Sequence, residues 1–202
     1  MIKFFINLLI NYNVKFFLIL FYELKYILQN YKGNQINILK NQLYRDNIPA
    51  PYLFLEKIYV FLKKVKINTI IDLGCGSGRF VYFFSKKLPH SKIYGIELDK
   101  EIFESTKKLF STNKRINIIN KNLLDFFKKN KNKKYDIFFL NDPLKFKSDY
   151  EKLFHKIKKI ASKTSFLILI NINHNLKSLK LFDLIYIYKI RNKNLKIYKI
   201  DN

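Results

Sequence analysis

The segment that most restricts this chain is Ile70-Ile71-Asp72-Leu73-Gly74-Cys75-Gly76-Ser77-Gly78-Arg79-Phe80. The whole chain has only 5 glycines in 202 residues, and three of them fall at alternate positions here. A short β-branched run leads in and an amphipathic stretch leads out, so the glycines stand where a buried strand turns into a helix. Without Cβ atoms, the backbone can approach a ligand closely. The loop opens at a helix N-terminus, whose N–H groups are expected to point into the crevice at the carboxyl end of the strand, where open α/β sheets bind ligands. They suit the carboxylate of an amino-acid-like molecule or a phosphate.

Spacing separates the nucleotide loops that compete for this pattern. A P-loop ends in Gly-Lys-Ser/Thr, whereas this one ends Gly78-Arg79-Phe80. A dinucleotide fold needs Gly or Ala three residues after the second glycine, where this chain has Arg79. The run Asp-Leu-Gly-x-Gly-x-Gly resembles the first motif of class I S-adenosylmethionine (SAM) dependent methyltransferases. That resemblance implies that Gly74, Gly76 and Gly78 form the cofactor loop and that Asp72 orients the methionine part of SAM. The amino group of SAM is cationic; an ammonium is attracted to this carboxylate and a phosphate is repelled.

A second acidic signal is Tyr94-Gly95-Ile96-Glu97-Leu98-Asp99. A carboxylate ending the second strand can accept both ribose hydroxyls, and the resemblance assigns that role to Glu97, with Asp99 capping the next helix. After the third strand the family usually carries an acidic residue near the adenine amino group; this chain has Asn120-Lys121-Asn122-Leu123. Asn122 can bond the base through its amide and Leu123 through its backbone N–H. Asp125 reads equally as a solvated helix residue or an adenine contact.

The acceptor side is expected after the fourth strand, at Leu140-Asn141-Asp142-Pro143-Leu144. Methyltransferases that act on the adenine amino group carry Asn or Asp, then Pro-Pro and an aromatic residue. Leu144 leaves out the surface that would stack on a flipped base. Asp142 is the catalytic candidate, orienting a nucleophile or taking its proton; its competing role is a turn cap. His174 reads as a solvated loop residue. Cys75 has no neighbouring base in sequence and reads as a small loop filler rather than a nucleophile.

Beyond Pro51, β-branched or aromatic runs alternate with longer amphipathic stretches, the rhythm of an α/β domain with a mostly parallel sheet. Strands are predicted at 68–73, 92–97, 116–120, 135–141 and 165–172. Helices are predicted at 52–64, 78–88, 100–110, 123–129 and 148–160. Runs at 181–190 and 194–200, joined by Arg191-Asn192-Lys193, read as a closing hairpin. The expectation is a Rossmann-like seven-stranded, mostly parallel sheet with an antiparallel last strand. Residues 1–50 would form an N-terminal helical extension and lid segment, and 51–202 the methyltransferase domain.

The segment Tyr44-Arg45-Asp46-Asn47-Ile48-Pro49-Ala50-Pro51-Tyr52, a helix and then this glycine loop resemble a group of small bacterial class I methyltransferases with a Dot1-like loop. In that group the middle of the Pro-x-Pro is often a hydroxyl residue; Ala50 stands there, so only a lid role carries over.

Composition narrows the partners. The formal charge is +24, but the basic residues are nearly all Lys and spread along a chain poor in Ala, Gly, Pro and Trp. Such a skew explains much of the charge without a nucleic-acid ligand, so a small-molecule or protein acceptor is expected ahead of nucleic acid. The single cysteine, Cys75, excludes an internal disulfide and fits a cytoplasmic setting. With His90, His155 and His174 far apart, no metal site is expected. The apolar stretch 2–28 is interrupted by Asn7, Asn11, Asn13 and Lys15, and its longest unbroken run, Phe16 to Tyr22, is far short of a membrane span. It reads as a helix or helix pair, broken near 11–13, that packs on the domain or lies on a membrane surface. Gly33 to Asn37 then reads as a polar linker. The function expected is transfer of the SAM methyl to an N or O atom. The alternative is a non-catalytic module of the same fold that uses its basic surface for RNA or membrane contact.

Overall fold

The computed structural model of the chain describes residues 14–34, 48–129, 133–190 and 192–201. The break expected near 11–13 and the stretch 44–47 lie outside them. In chain order the elements are α1 (Val14–Leu28), α2 (Tyr52–Leu62), β1 (Thr69–Leu73), α3 (Arg79–Lys87), β2 (Lys92–Glu97), α4 (Lys100–Leu109) and β3 (Ile116–Asn120). There follow α5 (Leu123–Lys129), β4 (Tyr135–Asn141), α6 (Lys147–Ile160), β5 (Ala161–Ile170), a 3-10 turn (Lys177–Leu181), β6 (Asp183–Ile190) and β7 (Lys193–Asp201).

The strands form one seven-stranded sheet of order β3-β2-β1-β4-β5-β7-β6. The pairs β1–β2, β2–β3, β1–β4 and β4–β5 are parallel, and β7 inserts antiparallel between β5 and β6. The order reverses beside β1, so the carboxyl ends of β1 and β4 part to form a crevice at the switch point. Strands that are buried on both faces read as apolar runs, and β1, TIIDL, is one of these.

Alternate residues feed two cores. Ile70, Ile137, Phe139, Phe166 and Ile168 pack with α2 and α3 on one face. Ile71, Leu73, Phe138, Leu140, Leu167 and Leu169 pack with α5 and α6 on the other. The sheet carries layers on both sides, as an α/β domain requires. Helix α1 joins the first layer: Tyr26 is 1% exposed and stacks on Tyr52 at 4.6 Å.

Two strands differ at their ends by two residues or more from the sequence expectation. Strand β5 starts at Ala161, which pairs with Tyr135, and it stops at Ile170 because Asn171 adopts a positive φ of 58°. Strand β6 starts two residues late, because 177–181 wind into the 3-10 turn, with Glu151 accepting the N–H groups of Lys177 and Ser178 at 2.7 and 2.8 Å. Among the described residues, no helix is long and apolar enough to cross a membrane.

Candidate functional site

The crevice is bordered by the glycine loop, the ends of β2 and β4, the first turn of α5 and the segment Ile48–Ala50. Gly74, Gly76 and Gly78 have φ of 92°, 50° and 82°, values that L side chains avoid. Their jobs differ. A Cβ on Gly74 would lie 2.5 Å from Pro143 Cβ, so the glycine lets the β4 turn close onto the loop. Gly78 does not border the crevice: a Cβ there would sit 2.7 Å from the Phe110 ring, and the residue serves to seat α3 against α4.

Four of the loop N–H groups are spent within the protein, which the sequence alone did not disclose. Gly74 and Cys75 donate to Ile96 O at 3.0 and 2.9 Å, Gly78 to Cys75 O at 2.9 Å and Gly76 to Glu97 Oε2 at 2.8 Å. So tight a bend beside a parallel strand satisfies its own donors rather than leaving them orphaned.

Two carboxylates flank the loop. Asp72 is 1% exposed at the crevice floor, and its Oδ1 has no hydrogen-bond partner among the described residues. Burial pushes its pKa well above the usual carboxylate range, and the nearby Glu97 adds to the rise. Glu97 accepts three backbone N–H groups at 2.8 Å, from Gly76, Leu98 and Asp99. Its pKa is raised by burial, with those three bonds opposing. Asp99 caps α4 by accepting from Ile102 N at 2.9 Å, as expected. Asn122 and Leu123 border the crevice as well. Asn122 Oδ1 caps α5 through Leu124 N at 2.8 Å, which fixes the side chain and leaves its amide N–H groups and one oxygen acceptor site for a ligand. Asp125 is the solvated alternative: it lies outside the crevice, paired with Lys128 at 2.6 Å, which lowers its pKa.

At the end of β4, Asp142 takes a φ of 46°, which turns the chain back over Gly74. Its Oδ1 accepts the hydroxyl of Tyr150 at 2.8 Å, and that hydroxyl accepts Leu144 N at 3.1 Å. Tyr150 is fully buried on α6 and fixes both the carboxylate and the turn. The adjoining wall is apolar, with Phe80 stacked on Phe139 at 3.8 Å and with Pro143 and Leu144 beside them. His174 is half-buried and packs against the Tyr150 ring at 5.5 Å, outside the crevice.

The remaining wall comes from the N-terminal region. Arg79, 9% exposed, donates to Glu23 Oε2 at 2.8 Å and to Ala50 O at 3.1 Å, and its guanidinium lies 4.5 Å from the Tyr52 ring centroid. Its Nε is buried without a partner among the described residues. Glu23 also accepts Tyr52 N at 2.8 Å, capping α2. Burial pushes the Tyr52 hydroxyl up to about 12, against the opposing charge of Arg79. Asn141 Nδ2 donates to Ile48 O at 2.8 Å from the far side.

A sequence profile for the family described as "methyltransferase domain" matches residues 64–197, two-thirds of the chain. The chain belongs to that family. This methyltransferase domain is 28% identical over 108 residues to a release factor glutamine methyltransferase of Fusobacterium nucleatum, covering 52% of this chain and 30% of that one. It is 29% identical over 101 residues to a malonyl-[acyl-carrier protein] O-methyltransferase of Ilyobacter polytropus, covering 50% and 36%. The chain thus spans about a third of the length of these curated relatives. Among solved structures, the Escherichia coli protein yhhF superposes with a TM-score of 0.64 at 15% identity, over 83% of this chain and 99% of that one. An RNA methyltransferase from Salinibacter ruber, solved with S-adenosyl-L-homocysteine, superposes at 0.60 with 13% identity, over 77% and 95%. These likenesses show the fold, and the family implies SAM as cofactor.

Within the methyltransferase domain, the structure brings Asp72, Gly74, Gly76, Glu97, Asn122, Leu123 and Asp142 to one crevice. Sequence reasoning missed Arg79, Glu23 and Gly33. Gly33 has φ 81°, its carbonyl accepts Ser77 Oγ at 2.8 Å, and a Cβ would lie 2.4 Å from Arg79 N, so it is a docking point rather than a linker residue. The scarcity of glycine was the available signal for Gly33. Nothing local marked the Glu23–Arg79 pair. Among the described residues, no cluster of His, Cys, Asp or Glu is arranged to hold a metal.

Proposed function

We propose that residues 51–202 form a SAM-dependent methyltransferase domain acting on an N or O atom of a small-molecule or protein acceptor, with the preceding region supplying one wall of the site. The observation that carries this reading is Asp72, a buried carboxylate with an unpartnered oxygen facing a crevice. Leaving such a group unmatched costs several kcal/mol, on the order of a buried unpaired charge, and a cationic ligand group removes that cost. When bound, SAM supplies a sulfonium-activated methyl and a zwitterionic amino-acid end. Asp72 holds its ammonium, and Arg79, with its orphaned Nε in the same wall, holds its carboxylate.

Glu97 Oε2 takes one backbone bond and keeps an acceptor site for a ribose hydroxyl, whereas Oε1 is already filled by Leu98 N and Asp99 N. Gly74 and Gly76 let the cofactor approach the backbone, and Asn122 and Leu123 border the adenine. Asp142, held by Tyr150, orients the acceptor or takes its proton. The apolar wall of Phe80 and Phe139 excludes water from the in-line displacement. An N or O acceptor is favoured by relatives named for glutamine and O-methylation.

Titration calorimetry with SAM and S-adenosylhomocysteine tests this. The chain is expected to bind both and to ignore NAD, and Asp72→Ala and Glu97→Ala are each expected to lose about 1–3 kcal/mol of SAM affinity. Wild-type affinity in both variants would overturn the assignments.

A further inference from the structure

Helix α1 is amphipathic in an inverted sense. Its polar atoms are spent inside the protein: Glu23 is paired with Arg79 and Tyr52 N, and the Tyr26 hydroxyl donates to Glu56. Its outer face carries Leu20, Phe21, Leu24, Ile27 and Leu28, between 47% and 80% exposed. These positions follow helical spacing and form one contiguous stripe, which a soluble monomer rarely leaves open. The absence of a cationic polar face, which argues against membrane contact for a free helix, does not apply here, because that face is occupied by the domain itself.

We propose that this face lies on an anionic lipid bilayer. The charge of the chain decides between the two apolar surfaces that could cover it. Two copies, each at +24, repel one another, whereas a leaflet of anionic lipid attracts the same charge. One flank suits the headgroup layer: Lys32 is exposed just beyond the C-terminal end, whereas Lys25 turns toward the domain, over the Tyr22 and Tyr26 rings and 3.9 Å from Glu56. At 15 residues, the described helix is about 22 Å long and lies along the interface rather than through it. Because Glu23 links α1 to Arg79, docking this face would set the crevice beside the bilayer.

The test is co-sedimentation of the full chain with phosphatidylcholine vesicles, with and without phosphatidylglycerol. The wild type is expected to sediment with the anionic vesicles and the variant Phe21→Gln/Leu28→Gln about tenfold less or lower still. Both changes lie on the exposed face, so the melting temperature and the SAM-induced shift should match the wild type. A full chain that stays in the supernatant, or a variant that sediments equally, overturns the proposal. So does a wild-type dimer that the variant dissociates, which would make a second copy the occupant. A fall in the variant's melting temperature would do the same, by showing that the face is covered within the chain itself.

Discussion

The two halves of the crevice are built on different principles. On the glycine-loop side the backbone does the shaping: two positive-φ glycines at the crevice, N–H groups returned to Ile96 and Glu97, and a buried carboxylate with one oxygen left without a partner. On the β4 side the side chains do it: Asp142 is held by Tyr150, and the wall is made of Phe80, Phe139, Pro143 and Leu144. The first half is matched to one charged molecule and keeps an electrostatic cost in the ligand-free state. The second is internally satisfied, so it requires no ligand for its own stability.

Asp142→Asn separates the halves most sharply. Asn tolerates the positive φ and still accepts from Tyr150, but it takes no proton. Transfer from methyl-tritiated SAM into acceptors of a cell extract should fall by roughly 10²-fold or more, while calorimetry gives an unchanged SAM affinity. A normal transfer rate would place catalysis elsewhere.

Asp72→Asn should do the opposite, weakening SAM binding by about 1–3 kcal/mol while raising the melting temperature of the ligand-free protein at neutral pH. The sign follows from linkage. The folded pKa lies above the unfolded value, so stability of the ligand-free wild type declines as pH rises from the ordinary carboxylate range through the raised value. Across the same interval SAM affinity should climb, with proton release detectable as a buffer-dependent binding enthalpy. Both trends should weaken in the variant, leaving the smaller share that the raised Glu97 carboxyl contributes.

Arg79→Gln should reduce SAM affinity by about tenfold and erase discrimination against decarboxylated SAM. It should also lower stability by about 2 kcal/mol, since Glu23 would lose its ion-pair partner in a partly buried site. Retained discrimination would sever Arg79 from the cofactor carboxylate. The smallest effect is expected for Tyr150→Phe: about 1 kcal/mol in chemical denaturation, with a several-fold loss of transfer and no change in SAM affinity.

The contrast between the halves also explains what the sequence disclosed. The succession of strands and helices and the Asp72–Glu97 pair were legible because strand-loop-helix spacing imposes them, and spacing survives in one dimension. The packing role of Gly78 was not legible because glycines that admit a ligand and glycines that admit a neighbouring ring look alike in sequence; the Phe110 contact shows the second. The bonds of the Gly74 and Cys75 donors were hidden for a similar reason, since their acceptor, Ile96 O, belongs to the adjacent strand. Arg79 looked like a mere departure from a dinucleotide pattern. Its partner Glu23 lies 56 residues earlier, and no local periodicity joins the two.

The sole thiol offers a practical handle on this site. Cys75 is 7% exposed, and burial pushes its pKa up, so it resists modification while the loop is closed. A Cβ on Gly95 would come within 2.8 Å of its sulfur, so the strand behind it leaves little room for a bulkier adduct. Alkylation therefore becomes a stopwatch for local breathing of the glycine bend. With no competing cysteine in the chain, each labelled molecule marks one opening event, and a ligand that clamps the bend lengthens the interval between events.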